Sequence, residues 1–108
     1  MLLTPHAEAV EDLLSTPELV LLLGREGCVQ CSDLATVADR WSDEVGQPCA
    51  LILLEEEAGA RLRSLLPMVA HVDMLPAVVP LRHGAPVDVL HGQGRDVLDR
   101  AMARFAED

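Results

Sequence analysis

The sequence predicts an α/β fold with the element order α-β-α-β-α-β-β-α, and three observations predict it. The apolar run Leu19-Val20-Leu21-Leu22-Leu23 leads through a short turn into a stretch whose apolar residues recur at helical spacing. A second apolar run, Cys49 to Leu54, again leads into a helix-patterned stretch. Further on, Ala77 to Arg82 and Val87 to His91 flank a turn of His83-Gly84-Ala85-Pro86, and an amphipathic stripe closes the chain.

Each element has a local reason. Thr4-Pro5 reads as N-cap and first helical position, and Ala7, Val10, Leu13 and Leu14 recur at helical spacing until Thr16-Pro17 stops them. Glu18 to Gly24 is nearly continuous in apolar residues, the pattern of a strand buried on both faces of a sheet. From Cys28, the positions Cys31, Leu34, Val37, Ala38, Trp41 and Val45 form one helical face, and Gly46-Gln47-Pro48 ends it. The second strand is followed by Glu55-Glu56-Glu57, acids suited to a first helical turn, and by the inner face Leu62, Leu65, Leu66 and Val69. Pro67 should end or kink that helix near Leu66. The hairpin pattern joins its strands through four loop residues, and Val97, Leu98, Ala101, Met102 and Phe105 make the last stripe.

Length and composition narrow the classes. With 108 residues the chain is expected to form one domain, residues 1–108, with a core of aliphatic side chains, since its aromatics are only Trp41 and Phe105. Three cysteines are too few for a disulfide scaffold, and the N-terminus lacks a signal-peptide pattern, so a soluble cytoplasmic protein is expected. No apolar run is long enough to span a membrane. Residues 1 to 57 hold twelve acids against Arg25 and Arg40, whereas residues 58 to 108 balance six acids with six arginines. The whole net charge of −10 therefore lies in the half that holds the cysteines. Lysine is absent and no basic stripe exists, which argues against nucleic acid as a partner and fits either a solvated acidic surface or attraction to basic proteins.

The chemistry concentrates in Gly27-Cys28-Val29-Gln30-Cys31. Two cysteines three apart in the first turn of a helix lie on one face, close enough for a disulfide. Unpaired N–H groups at the helix start favour a thiolate at the first of them, which makes that sulfur the attacking group in thiol–disulfide exchange. The alternatives are an inert pair or half of a metal site. Zinc would need two further ligands, and Cys49 begins a strand parallel to the one ending at the motif, about 20 Å away at 3.3 Å per residue. Cys49 then reads as a small core residue, and Trp41, on the inner helical stripe, as core rather than a stacking surface. The four histidines, His6, His71, His83 and His91, show no zinc-ligand spacing, and His71 and Asp73, in the connector before Pro76, are candidates for tuning the thiols.

The strand leading into Cys28-Val29-Gln30-Cys31, the helix after it, Leu75-Pro76-Ala77-Val78-Val79, the His83-Gly84 turn, Gly92 and the closing helix together resemble the thioredoxin fold over nearly the whole chain. The resemblance implies a central mixed four-stranded sheet flanked by helices, with a cis-proline at Pro76 beside the cysteines. It implies that Cys28 is an exposed nucleophile and Cys31 a buried resolving thiol, with the backbone of Leu75 and Pro76 contacting substrate. A protein or small-molecule disulfide, or a reductase, would be the partner; no metal or organic cofactor is needed, and a monomer is expected. The chain departs from the thioredoxin pattern at Gly27, where a tryptophan is usual, at Val29-Gln30 in place of Gly-Pro, and at Leu22 in place of a buried acid. Ser32-Asp33 follows the second cysteine where a basic residue is common. Pro80 removes a donor inside a strand, which calls for a bulge or a gap in the ladder. The family's usual first strand is absent here or reduced to Met1-Leu2-Leu3. A thioredoxin-fold adaptor or chaperone, binding through the acidic face and the Pro76 surface, is the alternative to an oxidoreductase, and a carrier using the pair as a two-thiolate metal site is a third reading.

Overall fold

The computed structural model describes residues 1–107. In chain order these form β1 (Leu2–Leu3), α1 (Val10–Leu14), β2 (Glu18–Gly24), α2 (Val29–Val45), β3 (Cys49–Leu53), α3 (Glu57–Leu65), β4 (Ala77–Arg82), β5 (Ala85–Pro86) and α4 (Gly94–Ala103). Short 3₁₀ turns precede α1 at Ala7–Ala9, follow α3 at Pro67–His71 and end the chain's last helix at Arg104–Ala106. The described residues form one sheet of order β1-β3-β2-β4-β5, in which β2 runs parallel to β3 and antiparallel to β4.

The unbroken apolar run of β2 is explained by burial on both faces. Leu19, Leu21 and Leu23 point into a cluster with Val10, Leu13, Ile52 and Leu62, beneath α1 and α3. Val20 and Leu22 point the other way, among Leu34, Trp41, Val97 and Leu98 of α2 and α4. Trp41 is fully buried, and its indole N–H donates to Asp99 Oδ1 at 2.9 Å, so the one tryptophan ties α2 to α4 and is core. No helix among the described residues is long and apolar enough to cross a membrane.

Four expectations are corrected. The sheet has five strands, not four, because Leu2 and Leu3 pair in parallel with Cys49 and Ala50. Leu2 packs onto the inner cluster and its N–H donates to Asp39 Oδ1 at 2.8 Å, which gives the short strand anchors that no period-two pattern revealed. The first helix does not start at Thr4-Pro5: the chain is still leaving β1 there, His6 is extended, and α1 begins at Val10. The hairpin closes through two residues, His83 and Gly84, both with positive φ (50° and 79°), the pairing a tight mirror-image turn requires.

The expected long second strand, Val87 to His91, shrinks to Ala85–Pro86 plus one bridge between Val78 and Leu90. Pro80 is the physical reason. Val20 donates its N–H to Pro48, away from β4, so its opposite number Pro80 turns its own backbone toward β5. The absent donor is therefore lost from the β4–β5 side, where Val87 N–H still reaches the Pro80 carbonyl at 2.8 Å but receives nothing back. The β2–β4 ladder that supports the motif is untouched.

Candidate functional site

At the C-terminal end of β2 the chain turns through Arg25, Glu26 and Gly27, with Gly27 at φ 74°, and enters α2. Cys28 is the N-cap of that helix: its backbone is extended, and Cys31 N–H donates to its Sγ at 3.1 Å. A sulfur in this position receives a hydrogen bond and faces the positive end of a seventeen-residue helix, so negative charge on it is stabilised once the pair is reduced. Cys28 and Cys31 stand at disulfide distance, with Cα atoms 5.2 Å apart. Burial distinguishes them, because Cys28 is half-buried while Cys31 is only 4% exposed.

Two residues that sequence reasoning passed over hold this geometry. Gly24 lies directly behind Cys31; a Cβ there would stand 3.2 Å from Cys31 Cβ and 3.4 Å from its Sγ. The carboxylate of Glu55 accepts the Glu26 N–H at 2.8 Å and fixes the turn before the motif. A signal for Glu55 existed in the parallel register, which sets Gly24 beside Leu53 and so brings the residues after β3 to the motif's end of the sheet.

The antiparallel register of β2 and β4 pairs Leu23 with Ala77, and its continuation sets Pro76 across from Gly24. The Leu75–Pro76 peptide bond is cis, Pro76 is buried and Leu75 half-buried. Around this end of the sheet two large apolar side chains stand in solvent, Val29 at 72% and Met74 at 61% exposure. Arg25 borders a recess with Asp73, Met74 and Leu75, so Asp73 approaches the site. His71 instead lines a different hollow with Met68, Val72 and His91, and the His91 ring nitrogen lies 3.4 Å from the Pro76 carbonyl. Leu22, at the position where the resemblance places an acid, is buried among the apolar side chains of α2 and α4.

Cys49 lies at the other end of the sheet, beside Val20 and Leu2. It is fully buried, and loss of solvent around the thiolate pushes its thiol from an ordinary 9.0 up to about 12. Among the described residues no group of three or more His, Cys, Asp and Glu side chains is arranged to hold a metal ion.

No family profile and no curated protein matches the chain. Solved structures do. Thioredoxin f2 of Chlamydomonas reinhardtii superposes with a TM-score of 0.76 at 14% identity, covering 100% of this chain and 99% of that one. The oxidised thioredoxin of Plasmodium falciparum gives 0.74 at 14% identity over 98% and 99%. A thioredoxin variant from Halobacterium salinarum gives 0.72 at 18% identity over 100% and 91%. The chain has the thioredoxin fold.

Proposed function

We propose that this domain is a thiol–disulfide oxidoreductase in which Cys28 is the nucleophile and Cys31 the resolving thiol. The observation that carries the reading is the asymmetry of the pair: Cys28 is half-buried and its sulfur caps a long helix, while Cys31 is buried three residues further on. In the reductive direction the Cys28 thiolate attacks a substrate disulfide, forming a mixed disulfide and releasing one substrate thiol. Cys31 then loses its proton and attacks the Cys28 sulfur, releasing the second substrate thiol and leaving the Cys28–Cys31 disulfide. Two electrons pass from the protein dithiol to the substrate.

The substrate class that fits is an extended protein segment carrying a disulfide. Leu75 would offer its backbone to such a segment beside Pro76, in the manner of an added strand, and Val29 and Met74 would meet its apolar side chains. The acidic first half of the chain favours a basic partner, with attraction that weakens as the Debye length falls from about 10 Å at 0.1 M salt to about 3 Å at 1 M.

The test is trapping. Cys31→Ser should accumulate a covalent complex with a protein disulfide through Cys28 that persists in high salt, and Cys28→Ser should form none. Recovery of the same partner by a variant with both cysteines replaced by serine, at low salt only, would instead make the domain an adaptor that holds its partner through charge.

A further inference from the structure

Beside the cysteine pair, on the side of β3 and away from Leu75 and Pro76, a cavity of about 240 Å³ opens between the motif turn, α2 and β3. Both cysteines line it, together with Arg25, Glu26, Ala35 and Leu53. Pockets for drug-sized ligands begin at about 300 Å³, so this one suits a group the size of an amino acid. Gly27 and Ala35 are among its lining residues, and neither carries a side chain larger than a methyl group.

Its charges are the informative part. Arg25 and Glu26 both border the cavity, yet among the described residues the side chain of neither makes a hydrogen bond or ion pair, with each other or with anything else. Glu55 pins the Glu26 backbone, so the two opposite charges are presented from a fixed turn. Asp73, across the neighbouring recess, leaves Arg25 unpaired as well. A small anion would be drawn to Arg25 but repelled by the first 57 residues, which hold the whole net charge of −10. A net-neutral zwitterion meets no such repulsion and satisfies both side chains.

Resting on the oxidoreductase reading above, we infer that this cavity is a subsite for small disulfides with amino-acid head groups, cystine being the simplest, in which Arg25 takes the carboxylate and Glu26 the ammonium. Seating the head group there brings the ligand's disulfide against Cys28. Attack by the Cys28 thiolate forms a protein–ligand mixed disulfide and releases one ligand thiolate, which is protonated from solvent. Cys31, giving its proton to solvent, then displaces the second. One protein dithiol and one ligand disulfide become one protein disulfide and two ligand thiols.

The experiment mixes the fully reduced chain with cystine, with cationic cystamine or with neutral hydroxyethyl disulfide, and follows the appearance of the Cys28–Cys31 disulfide. The readout is the rate with cystine divided by the rate with hydroxyethyl disulfide, a ratio from which any change in Cys28 reactivity cancels. Wild type should show a ratio well above one and should favour cystine over cystamine. Arg25→Gln and Glu26→Gln should each lower the ratio by about fivefold, the size of one partly exposed ion pair. Arg25→Lys should keep most of it. Ala35→Leu, which fills the cavity and keeps both charges, should lower it too. A wild-type ratio near one, or a ratio unmoved by Arg25→Gln, overturns the subsite while leaving the oxidoreductase reading intact. Failure of all three disulfides to oxidise the dithiol overturns both.

Discussion

The two ends of one pair of parallel strands treat cysteine in opposite ways. At the C-terminal end of β2, Cys28 and Cys31 sit at the start of a helix, with Cys28 half-buried and a hydrogen bond directed at its sulfur. At the N-terminal end of β3, Cys49 lies between Val20 and Leu2 with no exposure, and burial alone pushes its thiol up to about 12. The residue type is the same and the sheet is the same. What differs is where helices begin: both crossovers in this sheet start at the C-terminal ends of parallel strands, so backbone donors and dipoles gather at one end only.

The largest expected difference is kinetic. Raising the Cys49 thiol from 9.0 to about 12 lowers its thiolate fraction at neutral pH by about a thousandfold, before burial limits access. Alkylation of the reduced native protein should therefore modify Cys28 at least a thousandfold faster than Cys49, with Cys31 between them. Mass spectrometry of timed samples checks this, and comparable rates at Cys28 and Cys49 would break the contrast.

The next effect is thermodynamic and appears in base. The folded Cys49 thiol titrates above its unfolded value, so the unfolded chain releases a proton that the folded chain retains. Stability is then full below about pH 9 and falls as pH rises toward 12, at about 1.4 kcal/mol per pH unit. The sequence makes this window unusually clean, because it contains no tyrosine and its eight basic side chains are all arginine. In the oxidised protein, denaturant midpoints between pH 9 and 12 should decline steeply for the wild type and stay nearly flat for Cys49→Ala, whatever that variant's offset at pH 7.

A smaller effect sharpens the comparison at the Cys28–Cys31 end. Gly24→Ala would set a methyl group 3.2 Å from Cys31 Cβ, which the helix cannot easily yield. Overpacking of this kind costs about 1 kcal/mol or somewhat more. It should also alter the rate at which Cys31 resolves a mixed disulfide, whereas labelling of Cys49 should not change.

The smallest effect lies outside both thiol sites and guards the pH assignment. Arg104 hydrogen-bonds Asp88 and holds its carboxyl below the ordinary value of 3.8, so the stabilisation is present above the unfolded pKa and is lost as pH falls through the folded one. Both side chains are about a third exposed to solvent (32% for Arg104, 38% for Asp88), which screens the pair. Asp88→Asn should flatten the acid limb slightly below pH 4 and leave the alkaline limb unaltered, as thermal melts across pH would register.

The Cys28–Cys31 end was the more legible of the two in the sequence, and the reason is local. Cys28 and Cys31 follow an apolar strand and open a helical stripe, and each of those signals spans fewer than twenty residues. β2, α2, β3 and α4 were readable for the same reason. β1 was legible only through the resemblance, as a first strand absent or reduced to Met1-Leu2-Leu3, because two residues carry no periodicity and Leu2–Leu3 is held by pairing with Cys49 and Ala50, nearly fifty positions away. The second hairpin strand looked regular in sequence, yet Pro80 removes its donor from the very ladder that strand needed. Gly24 and Glu55 act through contacts that only the register of β2 and β3 creates.

Whether Cys28–Cys31 is an exchange-active pair or a passive crosslink is settled most directly by its reduction potential. Equilibrating the protein against a dithiol–disulfide buffer series and counting free thiols at Cys28 and Cys31 should give one two-electron transition. Stabilisation of the Cys28 thiolate by the helix end and by the Cys31 N–H favours the reduced form, so the midpoint should fall between about −270 and −120 mV, the span of exchange catalysts. A midpoint below about −300 mV, where structural disulfides lie, would contradict the account.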